Sequence, residues 1–534
     1  VLYWREPSMT SFGSDGSDWT EGGPPVVTAN WSQLPQLSDG SPAPPPRDSM
    51  SCCLSHGGVF LFGGFAEHAQ GEVYYDEVWA AAAARFADAD SPATAGPQQF
   101  PPQSSWEDAS SVAWRQVRTS GDAKPTWGHT AFKPRGMECF LVIGGQGQEN
   151  RPLLAFDVEE TRWFEPTVSR GRQRAQRSQG ESFDFDEYAA TTVGGEDEGA
   201  PALYLHSQGV AESEWLGLGS GKQIAVVFGG LRSQDECSDA VYTYDVSVTN
   251  GSMRSLEVAV AELATVGNRP GPRFGHAATC FDGGMFVFGG TVMEDDVVNL
   301  NDVLRLDLAS GVWRTLRTPT VPAPDGRMLF TALLDSGAGM WYVLGGRMFD
   351  VDSTPVDMLA FDLTTHAWST INSQSGPYPQ TAVSMGAVVV QDDRDDDFVA
   401  LLFGGEIDGA YSDQTLLLRI SSEDRLHFAA RRQRFDADRS ESRGGEDASP
   451  TPDTSDRAAT SPIEHGNVAA RDRWGGQSLM SSTASSMPRQ RSLVATSDRP
   501  APAVVPEMAP PRPVAHRSVG VCTDALRPRP SEPP

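Results

Sequence analysis

A short apolar run that ends in two glycines recurs six times along this chain of 534 residues. The glycine pairs are Gly63-Gly64, Gly144-Gly145, Gly229-Gly230, Gly289-Gly290, Gly345-Gly346 and Gly404-Gly405. Successive first glycines are 81, 85, 60, 56 and 59 residues apart. An apolar run closed by glycines predicts a buried strand followed by a turn, because glycine tolerates positive φ and close approach of other backbone. Six copies in one chain predict a repeat architecture.

Other landmarks keep phase with these pairs. A strand of small residues lies about 13–15 residues upstream of four pairs, at residues 50–53, 128–131, 275–279 and 330–333, and less regular counterparts are assigned at residues 188–191 and 383–385. Three of these strands have an arginine two or three residues earlier, namely Arg47, Arg273 and Arg327. Downstream of three pairs, an apolar strand ends in Asp and a Trp follows six residues later: Asp157 and Trp163, Asp307 and Trp313, Asp362 and Trp368.

The glycine pair, the Asp and the spaced Trp resemble kelch repeats over roughly residues 28–425. Blade three lacks the Trp, where Met253 is the expected substitute, and blade six has Gln380 where Arg is expected. The resemblance implies an all-β, six-bladed β-propeller with four-stranded blades. We expect a disordered segment at residues 1–27, the propeller at 28–428 and a disordered Ser/Pro/Arg-rich tail at 429–534. Insertions are predicted near residues 80–112, 165–184 and 194–222.

Blades bury their faces against one another, so the ring must close. Residues 31–34 copy residues 368–371, the predicted outer strand of blade five. We therefore infer that Trp31 lies on an N-terminal strand that completes blade six beside residues 415–420. The alternative is that residues 425–428 close blade six, in which case an upstream blade is missing with the N-terminus.

The insertions divide between the two faces of the predicted ring. If strands A to D run from the inside outward, the A–B and C–D connections lie on one face and the B–C and D–A connections on the other. The segments near 80–112 and 194–222 and the acidic turn at 391–397 are assigned to the first face. The locally basic segment at 165–184 is assigned to the second.

The charge balance restricts the class of partner. Lys and Arg number 42 against 71 Asp and Glu, which gives a formal net charge of −29. Residues 429–534 hold 15 Arg and 13 acidic residues, so the excess negative charge belongs to residues 1–428. A surface of this sign disfavours nucleic-acid phosphates and anionic lipid. We therefore expect protein partners that offer a basic segment, and neither nucleic acid nor membrane.

The B–C loops converge at one channel mouth, where their charges add into one field. Related propellers commonly bind partners on this face, so we expect docking there. The candidate docking residues are Glu149, Arg151, Arg232, Asp295, Asp296, Arg347, Asp350, Asp352 and Asp408. Simple solvation of acidic loop tips is the alternative. Four further acids precede strand C and are predicted to bond turn backbone instead, namely Asp239, Asp302, Asp357 and Asp413.

A propeller enzyme acting at the channel mouth is the second hypothesis, because copper oxidases of galactose-oxidase type share the kelch propeller. Their site uses two His, a Tyr and a Cys–Tyr crosslink. His129 and His276 occupy equivalent positions in two blades, which favours a repeated structural role. The six cysteines show no Cys-x-x-Cys spacing, and residues 392–397 lack the EF-hand pattern. We expect no catalytic residues, no cofactor and no metal.

A third hypothesis treats the chain as a fragment, because it begins with Val1, and places a catalytic domain upstream. No apolar run reaches the roughly 18 residues that a membrane span needs. Few cysteines in a long chain are typical of a reducing compartment. We therefore expect a monomeric propeller in the cytoplasm.

Overall fold

The computed structural model describes residues 28–36, 42–69, 71–84, 106, 109–147, 152–173, 200–219, 221–249, 255–293, 297–318, 323–348, 358–379, 381–393 and 396–426. These residues form six four-stranded antiparallel blades around one axis, so the all-β six-bladed propeller is confirmed. The predicted N-terminal segment and the tail from residue 429 onward lie outside the described residues.

Blades one to three follow one another in the chain. Strands A to D of blade one are Ser51–Ser55, Gly58–Phe62, Val78–Ala84 and Ser111–Val117. Those of blade two are Thr130–Phe132, Cys139–Ile143, Leu153–Asp157 and Arg162–Phe164. Those of blade three are Ser207–Glu212, Gln223–Phe228, Val241–Val248 and Leu256–Leu263.

Blades four to six continue the pattern, except that blade six takes one strand from the N-terminus. Strands A to D of blade four are Ala277–Phe281, Gly284–Phe288, Val303–Asp307 and Val312–Thr315. Those of blade five are Thr331–Asp335, Met340–Leu344, Met358–Asp362 and Trp368–Ser375. Those of blade six are Gly386–Gln391, Phe398–Phe403, Thr415–Ile420 and Thr28–Gln33.

Short elements decorate the blades. Hairpins extend four B–C loops: Phe65–His68 with Gly71–Tyr74, Leu231–Ser233 with Glu236–Cys237, Thr291–Met293 with Val297–Asn299, and Glu406–Ile407 with Ala410–Tyr411. In blade two, Thr126–Trp127 pairs with Gln146–Gly147. Thr167–Gln173 and Val266–Gly267 add parallel edges to strand D of blades three and four. A 3-10 helix spans Ser213–Leu216, and residues 422–426 form one short helical turn.

Every strand B reads as a continuous apolar run because neighbouring blades cover both of its sides. In blade one, Val59 and Leu61 pack toward blade six, whereas Phe60 and Phe62 pack toward blade two. The phenylalanine that precedes a glycine pair meets a tryptophan on strand D of the next blade. The ring centroids are 4.5 Å apart for Phe62–Trp163, 5.3 Å for Phe228–Trp313, 4.8 Å for Phe288–Trp368 and 5.2 Å for Phe403–Trp114.

In three of these blades, the aspartate six residues before the tryptophan closes the C–D turn. Asp157 Oδ1 accepts the N–H of Glu159 at 3.0 Å and of Glu160 at 2.9 Å. Asp362 and Asp307 accept N–H groups of their own turns in the same way. The side chain thereby replaces backbone partners that the tight turn lacks, which explains the spacing of the motif.

The ring is closed by the N-terminal strand, as the copy of residues 368–371 predicted. Thr28–Gln33 pairs antiparallel with Thr415–Ile420, and Trp31 lies opposite Leu418. The same strand runs parallel to the end of strand D of blade five. The alternative, closure by residues 425–428, is wrong, because residues 422–426 turn away as a helix and the D position is filled.

That helical turn anchors the chain on the A–B face through Arg425. Its guanidinium donates to Asp335 Oδ1 at 2.7 Å and to Oδ2 at 2.9 Å, and both side chains are almost fully buried. It also donates to the carbonyl oxygens of Asp392, Asp393 and Asp396. The described residues of the acidic turn at 391–397 therefore direct three backbone carbonyls at an arginine.

Blade three required a correction. Strand A was predicted at residues 188–191, which lie outside the described residues, but the strand that pairs with Gln223–Phe228 is Ser207–Glu212. The A–B connection therefore comprises only residues 213–222, and the extra length predicted near 194–222 largely precedes strand A. In blade six, strand A begins at Gly386, three residues beyond the predicted start. In blade six, the error arises because small residues just before the strand resemble the small residues of an inner strand.

Candidate interaction face

Backbone hydrogen bonds between neighbouring blades explain the glycine pairs. The second glycine of each pair donates its N–H to a carbonyl of the next blade at 2.7–2.9 Å. The pairs are Gly64–Thr126, Gly145–Leu203, Gly230–Arg273, Gly290–Arg327, Gly346–Ala382 and Gly405–Arg47. The first glycines have φ of 61–71°, and a Cβ on Gly144 or Gly345 would lie 2.1 Å from the accepting oxygen. Only glycine therefore permits this contact.

A second circle of hydrogen bonds lies at the channel mouth. Each of its members follows one of those carbonyls by two residues and precedes strand A by two residues. Its members have φ of 52–65° and are Ser49, Gly128, Leu205, Gly275, Leu329 and Ser384. Each donates its N–H to the carbonyl of its counterpart in the preceding blade at 2.7–3.2 Å, and Ser49 closes the circle on Ser384. We call these six residues the mouth ring.

The residue before each mouth-ring member forms a β-bridge with the residue that follows the glycine pair of its blade. The six bridges are Asp48–Phe65, Trp127–Gln146, Tyr204–Leu231, Phe274–Thr291, Met328–Arg347 and Val383–Glu406. Phe65, Trp127, Tyr204, Leu231, Phe274 and Met328 belong to one buried apolar cluster. Apolar side chains therefore fill most of the mouth on the B–C face.

The residue after each mouth-ring member is a wedge between two blades. His129, His206 and His276 hold this position in blades two to four, and Phe330 holds it in blade five. A Cβ on Gly63 would lie 2.6 Å from His129 Cε1, and one on Gly145 would lie 2.9 Å from His129 Cβ, so the imidazole fills the space that two glycine pairs leave.

Burial governs the protonation of these histidines. It lowers the pKa of His129 to about 3 and that of His206 to about 4, and it holds the pKa of His276 well below its usual value. His129 Nε2 lies 2.8 Å from Ser51 Oγ, and His206 Nε2 lies 2.9 Å from Thr130 Oγ1. The structure thus places His129 and His276 in the repeated core position that the sequence favoured. His206 was missed because strand A of blade three was predicted elsewhere.

The repeated arginines are buried beside the same glycines. Arg47 donates to the carbonyl of Gly63 and pairs with Glu77 at 2.7 Å. Arg273 donates to the carbonyl of Gly289 and grips Asp302 through both of its oxygens at 2.8 and 3.0 Å. The prediction that Asp302 bonds turn backbone is therefore wrong, since its partner is a guanidinium. Asp239 pairs with Arg269 at 3.0 Å.

Three of the nine predicted docking residues are described. Arg347 pairs with Glu406 at 2.5 Å across blades five and six, and Asp408 accepts a hydrogen bond from Thr381 Oγ1 at 2.6 Å. Arg232 lies on blade three and donates to the hydroxyl of Tyr242 at 3.2 Å. The structure therefore brings Arg347 and Asp408 to neighbouring loops and leaves Arg232 in another sector. The residues outside the described ranges are Glu149, Arg151, Asp295, Asp296, Asp350 and Asp352.

Sequence reasoning missed the residues that distinguish this sector. Asp48 is the one carboxylate among the six bridge residues that precede the mouth ring. Tyr411 lies beside it, and the ring of Phe65 meets that of Tyr411 edge to face at 6.0 Å. An alignment of the repeats on the residue three before strand A would have exposed Asp48 as the exception. In the sequence it looks like an ordinary loop acid.

The six repeats, their glycine contacts and the closed ring define a propeller of the kelch class. Residues 217–405 match the family described as the KLHDC2/KLHL20/DRC7 Kelch-repeats domain. This match and the fold support a kelch-repeat propeller in this chain, and propellers of the kelch-repeat family commonly mediate protein interactions and are typically non-enzymatic.

Two curated proteins show weaker similarity. The Kelch domain-containing protein 3 of Homo sapiens is 24% identical over 254 residues, which are 46% of this chain and 54% of the human protein. The Acyl-CoA-binding domain-containing protein 4 of Arabidopsis thaliana is 25% identical over 203 residues, 38% of this chain and 27% of the plant protein. The matches thus span about half and about a quarter of these relatives.

In the described ranges, no three His, Cys, Asp or Glu side chains converge in a way that could hold a metal ion. Likewise, none of the helical segments resolved there has the length and hydrophobicity to cross a membrane.

Proposed function

We propose that this chain is a non-catalytic interaction scaffold whose B–C face docks a segment of a partner protein that carries basic side chains. The observation that supports it most is the acidic sector at the junction of blades six and one. Asp48, Glu67, Glu406 and Asp408 share this sector with Arg347. Loops that meet at one mouth combine their fields, and the chain as a whole is strongly negative.

The remaining docking residues enter the proposal through their positions in the same B–C loops. Glu149, Arg151, Asp295, Asp296, Asp350 and Asp352 follow glycine pairs just as Arg347 and Asp408 do. A cytoplasmic location, a monomeric state and the lack of nucleic-acid or membrane partners stay predictions.

The enzyme hypothesis has less support. Each of the three channel histidines is wedged between glycine pairs of two blades, where burial keeps it neutral. Tyr75 stacks on the buried guanidinium of Arg47, whose carbon lies 3.7 Å from the ring centroid. These histidines and Tyr75 are held in packing contacts within the propeller. Catalytic groups would instead converge on a position that a substrate can occupy.

The proposal is tested by moving the same amount of charge on two faces of the full chain. One variant neutralises exposed acids of the B–C face: Glu72→Gln, Asp235→Asn, Glu236→Gln and Asp408→Asn. The matched control neutralises exposed acids of the opposite face: Glu159→Gln, Glu160→Gln, Asp282→Asn and Glu423→Gln. Proteins that co-purify with each chain are quantified by mass spectrometry.

We expect the B–C variant to lose a defined set of co-purifying proteins that the control variant retains, while both melt within a few degrees of the parent chain. Surface charges away from special contacts alter stability little. Equal recovery with both variants would contradict docking on the B–C face.

A further inference from the structure

One residue breaks the six-fold pattern of the mouth. The bridge position before the mouth ring is apolar in five blades, where it holds Trp127, Tyr204, Phe274, Met328 and Val383. In blade one the same position holds Asp48. The backbone of Asp48 is fixed by two hydrogen bonds with Phe65, of 2.8 and 3.0 Å, so the carboxylate occupies the place of an apolar side chain.

The carboxylate of Asp48 is poorly compensated. Its Oδ1 is shielded from solvent and has no hydrogen-bond partner among the residues that the structure describes. The pKa of Asp48 is raised to about 7, mainly because of burial; nearby Glu406 adds to the rise, and Ser49 and Arg347 oppose it. Arg347 is already paired with Glu406 at 2.5 Å. The negative charge of Asp48 and Glu406 therefore exceeds the positive charge of Arg347, and one further cation would balance it.

Aromatic side chains border this carboxylate. Phe65 contacts Tyr411 at 6.0 Å and Tyr74 at 5.3 Å between ring centroids, and both tyrosines are partly exposed. Glu67 lies near Tyr411 and adds negative potential on the solvent side. Aromatic walls that lead to a carboxylate suit an aliphatic chain with a cationic end, because the methylenes pack on the rings and the cation attracts both π-face and carboxylate.

A carboxylate with one shielded, unpartnered oxygen destabilises the free protein, and five other blades hold an apolar residue at this position. Its presence is explained if a ligand provides the missing charge. We propose that the Asp48 site, formed by Asp48, Phe65, Tyr411 and the Arg347–Glu406 pair, receives a lysine or arginine side chain from an extended segment of a partner protein. This inference rests on the proposed docking at the B–C face and specifies which side chain of the partner is recognised there.

The test uses the full chain and four capped heptapeptides of sequence Gly-Ser-Gly-Xaa-Gly-Ser-Gly. Xaa is arginine, lysine, citrulline or norleucine, so the last two keep length without charge. Binding is followed by changes in intrinsic fluorescence or by NMR in low-salt buffer at pH 8. Variant Asp48→Asn is compared with Asp282→Asn, which removes one exposed acid from the opposite face of the propeller.

We expect the arginine or lysine peptide to bind the parent chain about five-fold more tightly than its neutral counterpart, as one charge contact of this kind provides. Asp48→Asn should abolish that preference and Asp282→Asn should keep it. The idea is overturned if the parent shows no preference, or if Asp48→Asn retains it.

A second readout excludes a purely structural role. If Asp48 serves a ligand, Asp48→Asn should melt higher than the parent at pH 8, since it removes an uncompensated charge, even as the peptide preference disappears. A lower melting temperature at pH 8 would identify the carboxylate as a structural partner and contradict the proposal. Failure here leaves the charge-neutralised B–C variant as an independent test of docking.

Discussion

At the scale of single residues, the repeat assigns each position a narrow physical task. The first glycine of a pair admits a carbonyl of the next blade, and the second donates its N–H to it. The residue after each mouth-ring member fills the space between the first glycine of the preceding blade's pair and the second glycine of its own blade's pair. His276 and Phe330 both do this, in adjacent blades. A histidine in that position adds a titration that phenylalanine lacks.

We expect His276→Phe to reduce acid sensitivity. Burial keeps the pKa of His276 well below 6.5, and neither ring nitrogen has a well-aligned partner among the described residues. A histidine with a depressed folded pKa contributes full stability above pH 6.5 and loses it as the pH falls toward the folded value. At pH 5 the variant should therefore lose about 1–2 kcal/mol less than the parent, relative to pH 7.5.

Urea unfolding at the two pH values measures this difference. His68→Phe is the control, because His68 is exposed on the B–C hairpin of blade one. The same acid sensitivity in parent and His276→Phe would mean that this histidine does not titrate on unfolding.

At the scale of elements, two segments from opposite ends of the described chain hold blade six in place. The strand Thr28–Gln33 forms its outer edge, and the helical turn at 422–426 packs against the A–B face through Arg425. Thr28 Oγ1 donates to Asp424 Oδ2 at 3.0 Å, which joins the two segments. Both therefore belong to the ring rather than to its tails.

Deletion of residues 1–35 should destabilise the propeller by at least about 3–5 kcal/mol, the usual consequence of removing one buried tryptophan. Trp31 is 2% exposed and packs into the core between blades five and six. Deletion of residues 1–27 leaves that strand intact and is the matched control. Denaturant midpoints that are equal for the two truncated chains would show that the strand is dispensable.

Replacement of Arg425 by methionine should cost about 3–5 kcal/mol, because Asp335 would remain buried without its cation. Combining it with Asp335→Asn should recover part of the loss. Arg269→Met breaks an exposed pair with Asp239 and should cost about 0–1 kcal/mol. Chemical denaturation of the four chains checks the ranking, which fails if Arg425→Met behaves like Arg269→Met.

At the scale of the whole molecule, closure of the ring stabilises the propeller, whereas its net negative charge destabilises it. Each blade is held by its neighbours, and the seam between blades six and one repeats the contacts of the others: Gly405 donates to Arg47, Ser49 to Ser384, and Phe403 packs on Trp114. Against this acts the repulsion of the −31 net charge on residues 1–428.

Raising NaCl from about 0.02 to 0.3 M should therefore raise the melting temperature by a few degrees, since salt shortens the range of charge repulsion. A chain that combines both sets of four neutralised acids should show a smaller rise. Scanning calorimetry gives both values. A melting temperature independent of salt would mean that local ion pairs already balance the repulsion.

The sequence by itself determined the repeat, the six blades and the N-terminal strand that closes the ring. Gly-Gly, Asp and Trp recur because the blades make the same contacts, and each repeated contact requires the same residue type. It also indicated a structural role for His129 and His276 from their equivalence.

Only the tertiary structure decided where strand A of blade three begins, what the turn at 391–397 encloses and why Asp48 differs from its five counterparts. Those features depend on partners far away in the chain. Arg425 meets Asp335 across 90 residues, and Asp48 faces Arg347 and Glu406 from the other end of the ring. A local sequence pattern cannot predict such pairs, because the two residues meet only when the ring closes.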